Sequence, residues 1–554
     1  MDEASIRRFI ERGKEKILSS ERPLPAMFSG KKALQLAEVK QQPPPLNIKA
    51  GLEPFDQPLD AMKARHLLRR TQFGAPLDQV NAHIGINSSQ AVDDILAAAL
   101  DTVTTPFPEA PEWVDAIPPF NGTQEEQDAF VENNILWLYE LQNEWFVLLT
   151  SIGLRERMTL FWHNHFVTQY DDYFFATHAY RYLKLLRENA FGNFKDFVRS
   201  IGKDPAMLEY LDSNTNRNGE PNENYGRELL ELFTMSPKDK DGNDNYTQQD
   251  IVEAARALTG WIIDYLNNVG FFNEARFDDG EKTFLGQTGN WGYDDVVDII
   301  FAERGDETAY FVCEKLYKEF VYAVPDPVIV EALATELVNQ NYEIQPVLTL
   351  LLKSAHFFDD EVVGSRLKSP VEMLAGMPGE VGRSLNDEQL LFLRQAAAFL
   401  QQDLLNPPNV AGWPGYRTWI STTTYPIRLL LSDLVLFGNN GEDLTDLVSV
   451  ATQFAEASTP NAAFELPIAL AEYMLPIPLD TLDIGVVTDE FGGDLVNFPI
   501  PEEVMNGPAY AINLSKIFLA GVPWYEWDVN ADFAPILLAL YARFLTQRPE
   551  FQLV

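Results

Sequence analysis

Two glutamates three residues apart, Glu228 and Glu231 in the stretch NENYGRELLELFTM, are the side chains of this sequence best placed for proton chemistry. Stepping about 100° per residue along a helix from Asn224, Glu228 falls at about 40° and Glu231 at about 340°. The three oxygen-bearing side chains therefore form one stripe, with Arg227 beside them. Paired carboxylates can act as general acid and base in hydrolysis, or, together with a histidine, hold a divalent metal that activates water. The opposite side carries Tyr225, Gly226, Leu229, Leu230, Leu232 and Phe233, which is equally what an ordinary amphipathic helix with a solvated face presents.

Two of the six histidines, His163 and His165, lie in RMTLFWHNHFV. On a helix they point about 200° apart, so only one can face a given site; a chelating pair would be spaced i and i+4. The competing reading is a core histidine bonded to a backbone carbonyl or a carboxylate. A third donor set, Asp239, Asp241, Asn243 and Asp250, resembles a calcium loop with oxygen ligands at its first, third, fifth and twelfth positions. Glycine stands fourth instead of sixth and the last ligand is Asp where Glu is usual, so a solvated turn is the alternative. The cofactor such donors would take is a divalent cation, calcium or a transition metal. Trp413 and Trp419, in NPPNVAGWPGYRTWIST, could serve as stacking platforms for a sugar, which makes glycosidic or ester bonds the natural targets. There is no nucleophile elbow, HExxH, P-loop or dinucleotide fingerprint to narrow the class.

These residues need helices to position them. Apolar periodicity predicts a mainly α protein: a large multi-helical, bundle-like core with long ordered loops. Residues 1–56 read as an arm or linker interrupted by Pro23, Pro25, Pro43, Pro44 and Pro45, residues 57–435 as the helical core domain, and residues 436–554 as a C-terminal helical segment packed on it, with an irregular connection around Pro476 to Pro501. Within the core, three short helices follow Leu59, and Thr123 caps a long helix ending near Ser151 whose apolar residues imply burial on more than one side. Tyr170 to Glu188 reads as one helix, and Asn222 to Trp261 as two helices joined by an acidic loop opened by an Asn222 cap. The pair Asp279-Gly280, in a stretch with Phe271 and Phe277 on either side of polar residues, predicts a small β-hairpin excursion.

Lys and Arg number 42 against 82 Asp and Glu, a formal charge of −40. Such a charge repels phosphates and anionic lipid at long range, so nucleic acid is excluded as a partner. The single cysteine, Cys313, sits in an apolar helical run and reads as a buried small residue. No apolar core of signal-peptide length and no run of about 18 apolar residues occurs, so the sequence as it stands is expected to be cytoplasmic and without a transmembrane segment. A periplasmic or exported protein trimmed of its signal would read the same.

Taken jointly, HLLRRTQFG (66–74), RMTLFWHNHFV (157–167), AMLEYLD (206–212), PNENYGRELLELFTM (221–235), YTQQDIVEAARALTGW (246–261), FDDGEKTFLG (277–286), KSPVEML (368–374) and NPPNVAGWPG (406–415) resemble the bacterial proteins catalogued as domain of unknown function 1800. The resemblance implies a large helical bacterial protein, encoded beside a sulfatase-like or phosphatase-like partner. It also implies that the family's signature polar residues stand here at His163, His165, Asn222, Glu223, Asn224, Arg227, Glu228, Glu231, Lys282, Asn409 and Trp413. Where relatives commonly have His-Asp before the hairpin glycine, this chain has Phe277-Asp278. Two readings stay open. One is a hydrolase with Glu228, Glu231 and His163 or His165 as catalytic candidates, and Asn222, Glu223, Asn224, Arg227, Lys282, Asn409, Trp413 and Trp419 around the substrate. The other is a binding or assembly scaffold whose polar residues fix helix register.

Overall fold

The computed structural model of the 554-residue chain describes residues 3–19, 43–102, 109–151, 153–438, 444, 446–482, 500 and 502–554. Pro23 and Pro25 of the expected arm, and most of the expected connection between Pro476 and Pro501, lie outside them. The described residues are mainly helical, and their β structure consists of two small antiparallel two-stranded sheets. No described helix is long and apolar enough to cross a membrane.

The chain divides into two compact units, one of Met1–Lys31, Asp93–Leu352 and Gln402–Pro414, the other of Lys32–Val92, Lys353–Gln401 and Gly415–Val554. These divisions do not coincide with the boundaries expected at residues 56 and 435. Proline-rich stretches mark where the backbone is irregular, whereas a compact unit is defined by which apolar faces share a core.

In the first unit the Leu154–His165 helix is buried nearly all round, as its sequence predicts. Trp162 stacks against Phe166 and Phe194 and meets the edge of Phe197, while its indole N–H donates to the Ala190 carbonyl at 2.9 Å. The long Gln124–Ser151 helix departs from expectation. It buries one stripe, including Phe130, Asn134, Leu138, Leu141, Trp145 and Leu149, and leaves Leu136 62% exposed. Spacings of three and four select a single face, and the extra apolar residues fall outside it.

Asn134 on that stripe explains a second departure. Its side chain donates to the Phe174 carbonyl at 2.7 Å and accepts from the Ala176 N–H at 2.9 Å. The expected Tyr170–Glu188 helix is therefore broken into Tyr170–Tyr173 and Ala176–Glu188, with Phe174 at a left-handed φ of 67°. A buried amide satisfies the two backbone groups that the break releases.

The β excursion is doubled. Strand β1 (Trp261–Asp264) pairs with β2 (Val269–Phe272), and β3 (Lys282–Phe284) with β4 (Gln287–Gly289). Trp261 thus opens a strand and does not close a helix, which runs only over Gln248–Ala257. The tight turn between β3 and β4 is Leu285-Gly286, with φ of 46° and 83°, the signs a type I′ turn requires. Asp279-Gly280 instead lies in the connection ahead of β3, where the Asp278 carboxylate accepts from the Gly280 N–H at 2.9 Å and pairs with Arg256 at 2.8 Å. Cys313 is buried, as its setting predicts.

In the second unit the Ala61–Thr71 and Pro370–Glu380 helices are joined by a buried ion pair, Arg69 Nε to Glu380 Oε1 at 2.6 Å, with Lys368 Nζ 3.8 Å from the other carboxylate oxygen. Gly376 meets the backbone just after the first of these helices so closely that a Cβ there would stand 1.8 Å from the Phe73 carbonyl oxygen. Gly376→Ala is therefore expected to cost about 1–3 kcal/mol or more, because the clash is with backbone and no rotamer relieves it. A urea midpoint equal to that of the unsubstituted chain would contradict this close packing.

Candidate functional site

The polar turn of the first unit is prepared by an asparagine relay. Asn216, buried, donates to the Ala255 carbonyl at 2.8 Å and accepts from the Asn222 N–H at 2.9 Å; the Asn222 side chain then accepts from the Asn224 N–H at 2.9 Å. The helix that follows is α-helical only over Asn224–Glu228. From Leu229 to Thr234 it is a π-helix, in which the Met235 N–H reaches back five residues to the Leu230 carbonyl at 3.2 Å. Thr234 Oγ1 donates to the Leu229 carbonyl at 2.5 Å and helps hold the widened turn. π-Turns of this kind are rare and recur at functional sites.

Glu228, the last α-helical residue, and Glu231, on the π-turn, both stay half-buried, and Glu228 feels the charge of Glu231. Burial first, and then Glu231, raises the pKa of Glu228, with Arg227 opposing. Tyr246 shares their neighbourhood: burial, followed by Glu231, pushes its hydroxyl up to about 12. The Tyr210 hydroxyl is also raised, by burial, then Asp172 and Glu228. Tyr210 donates to Gln169 Oε1 at 2.8 Å, and the Gln169 amide donates to the Pro407 carbonyl at 2.7 Å, so Tyr210 is tied to the loop of residues 406–414. Glu223 pairs with Arg227 at 3.0 Å and accepts from Gln248 at 2.9 Å, forming a partly exposed patch on the same helix.

The two histidines diverge as their spacing predicts. His163 Nδ1 is 3.0 Å from the Tyr182 hydroxyl, which itself donates to the Phe166 carbonyl at 2.6 Å, so His163 is the donor. Its ring meets Trp145 and Trp413 edge-on with centroids 5.4 Å away in each case, and burial pushes its pKa down to about 3. His165 Nε2 donates to the Phe233 carbonyl at 3.0 Å and its Nδ1 faces Lys315 Nζ at 3.0 Å; burial, then Lys315, keeps it neutral. His165 uses both ring nitrogens within the core, whereas His163 uses Nδ1 and its buried Nε2 has no hydrogen-bond partner; neither ring hydrogen-bonds Glu228 or Glu231.

Other expected residues take local roles. Asp239 accepts from the Asp241 and Asn243 N–H groups at 2.9 and 2.8 Å and from the Asn243 amide at 2.8 Å, closing a turn. Asp250, the twelfth position of the expected calcium loop, caps Thr247 and accepts from the Leu285 N–H at 2.8 Å. Among the described residues no group of three or more His, Cys, Asp or Glu could hold a metal ion. Lys282 is buried and donates to the Gly280 carbonyl at 3.0 Å, with its ammonium 4.8 Å from the centre of the Phe277 ring, so the phenylalanine that departs from the family pattern packs under it. Trp413 and Trp419 are both buried, the first in one unit and the second in the other, so neither offers a free stacking face. Asn409 is exposed and accepts from the Ala411 N–H at 2.9 Å.

The 406–414 loop is seated by Asn164, whose side chain accepts from the Trp413 N–H at 2.7 Å. Gly412, at a φ of 79°, lies against it; a Cβ would stand 2.8 Å from the Asn164 carbonyl oxygen. Gly412→Ala is expected to cost about 1–3 kcal/mol and to raise proteolytic cleavage within 406–414, a change readable by timed digestion. Tyr210, Tyr246 and Lys315 escaped the sequence reading, because only the π-turn and long-range packing bring them to this region.

Residues 66–503 match the profile of the family described as protein of unknown function (DUF1800). No curated protein and no solved structure matches the chain.

Proposed function

The chain belongs to the DUF1800 family, and from that premise we propose that it is an acid/base hydrolase whose working groups are Glu228 and Glu231. The observation that supports this reading is the half-buried carboxylate pair that straddles the junction of the α-helix with a π-turn, in which one member, Glu228, is held protonated to higher pH by burial and by its neighbour. A carboxyl whose proton affinity is raised can serve as the acid while its neighbour serves as the base. Glu228 donates a proton to the leaving oxygen of a glycosidic or ester bond, and Glu231 takes one from the attacking water. Tyr246, beside the pair, donates a hydrogen bond to a substrate oxygen. The test is a panel of aryl glycosides and aryl esters assayed with the unsubstituted chain, Glu228→Gln and Glu231→Gln, with and without a chelator. Turnover that both variants lose and the chelator leaves untouched fits the proposal; turnover that survives both substitutions sinks it.

A second reading, a scaffold for a sulfatase-like partner protein, is favoured by the way His163 and His165 are locked into core hydrogen bonds. A folded Glu228→Gln chain that still captures such a partner, with no substrate in the panel turned over, would move the balance to this reading.

A further inference from the structure

Five Asn-Gly or Asp-Gly pairs lie among the described residues: Asn121-Gly122, Asn218-Gly219, Asp241-Gly242, Asp279-Gly280 and Asn506-Gly507. In such a pair the glycine has no Cβ to keep its nitrogen away from the carbonyl carbon of the preceding side chain. Whether the nitrogen can reach that carbon then depends on what holds its N–H. In four pairs the protein holds it. Gly122 donates to the Pro119 carbonyl at 2.9 Å, Gly242 to the Asp239 carbonyl at 3.1 Å, Gly507 to the Val504 carbonyl at 3.1 Å and Gly280 to the Asp278 carboxylate at 2.9 Å. Gly219 alone of the five donates to no group of the protein.

Asn218 and Gly219 form the tip of a tight turn, and both are exposed. The turn is closed below them, where the Glu220 N–H donates to the Arg217 carbonyl at 3.0 Å and the two side chains pair at 2.6 Å. Gly219 stands at a φ of 84°, and a Cβ built there would meet nothing within 4 Å. The Asn218 N–H is anchored on the Arg276 carbonyl at 2.7 Å, but its side-chain amide bonds no other residue. Solvent base thus has open access to the nucleophile, and no contact within the protein restrains the amide it would attack.

We propose that Asn218 is a modification site at which the folded chain deamidates. Asparagine is one of the chemically labile side chains. The Gly219 nitrogen gives its proton to base and bonds to Asn218 Cγ; the bond from Cγ to the side-chain nitrogen breaks, and ammonia leaves with a proton from solvent. Water then opens the five-membered imide. Cleavage at Cγ gives aspartate, and cleavage at the main-chain carbonyl gives isoaspartate. The sum is amide plus water to carboxylate plus ammonium, with no change of oxidation state. Isoaspartate also lengthens the main chain by one carbon between Arg217 and Glu220. That turn lies inside the loop closed by Asn216, which accepts from the Asn222 N–H ahead of the Glu228 helix.

The full chain is held at mildly alkaline pH, folded and, separately, unfolded in urea. Loss of the amide at Asn121, Asn218 and Asn506 is followed by peptide mass spectrometry, with fragmentation to identify isoaspartate. In the folded chain Asn218 is expected to react about two- to tenfold faster than Asn121 or Asn506, the factor that one hydrogen bond on the attacking nitrogen is worth. In urea the three rates should draw together. A folded rate at Asn218 equal to or below the other two overturns the proposal, and so does an advantage that persists unchanged in urea. Asn218→Gln, which keeps an amide at the exposed tip but needs a larger ring to close, should stay intact while Asn121 and Asn506 react as before.

Discussion

Glu228→Gln is expected to lower kcat/KM for a cleavable aryl substrate by about 10²–10⁴-fold, the usual contribution of a general acid. The amide fits the same half-buried position, so the loss should come without unfolding. The pH profile carries the sharper information. A general acid works in its protonated form, and the Glu228 pKa is raised, so activity that depends on Glu228 as the acid is expected below that raised value and falls as pH climbs through it. Glu231→Gln removes a like charge, which lets Glu228 ionise more easily; whatever activity that variant retains should lose its alkaline limb at lower pH. Arg227→Met removes the opposing cation and should carry the limb to higher pH. A scaffold role for the same helix would produce neither movement. If both variants leave the limb where it was, Glu228 is not the acid.

Glu380→Ala is expected to destabilise the chain by about 3–5 kcal/mol, the cost of leaving a buried charge without its partner. Arg69 and Lys368 are both buried, and the substitution strips each of its carboxylate. Burial alone would push the Glu380 pKa up, but Arg69 and then Lys368 outweigh it, and the carboxyl lies below its ordinary value in the folded chain. A depressed carboxyl contributes stability above its unfolded pKa, about 4.5. That contribution disappears as pH falls through the folded value. Urea midpoints measured from pH 7 downward should therefore converge for the unsubstituted and Glu380→Ala chains in acid. A constant gap across that range would place the stabilisation elsewhere.

Local signals in the sequence were reliable where the cause is local. Thr123 and Thr247 begin helices because their hydroxyls meet backbone N–H groups three residues on. The divergence of His163 and His165 follows from the helical step alone, and the structure keeps it. The mainly α fold follows from periodicity. What could not be read depends on partners far along the chain. Asn134 breaks a helix forty residues away by offering its amide to Phe174 and Ala176. No residue between Leu229 and Thr234 announces a π-turn, and the 100° step that arranged Glu228 and Glu231 stops applying there. The Asp279-Gly280 pair carries the commonest hairpin dipeptide, yet Leu285-Gly286 makes the turn, because Lys282 and Arg256 hold the bend at Asp278–Gly280 open. Asp250 was spelled like a ligand and is used as a cap.

The first compact unit gathers three separate spans, the last of them Gln402–Pro414. During synthesis the ribosome emits the Leu154–His165 helix and the π-turn well before Trp413 and the Pro407 carbonyl exist to meet His163 and Gln169. At about 5–20 residues per second, the nascent unit spends about 10–30 s with its carboxylate turn emerged and the 406–414 loop still unwritten. The site is thus finished last, by a segment delivered after the bulk of the unit around it has emerged. A slow codon cluster between residues 352 and 402 would lengthen that interval without altering a single side chain.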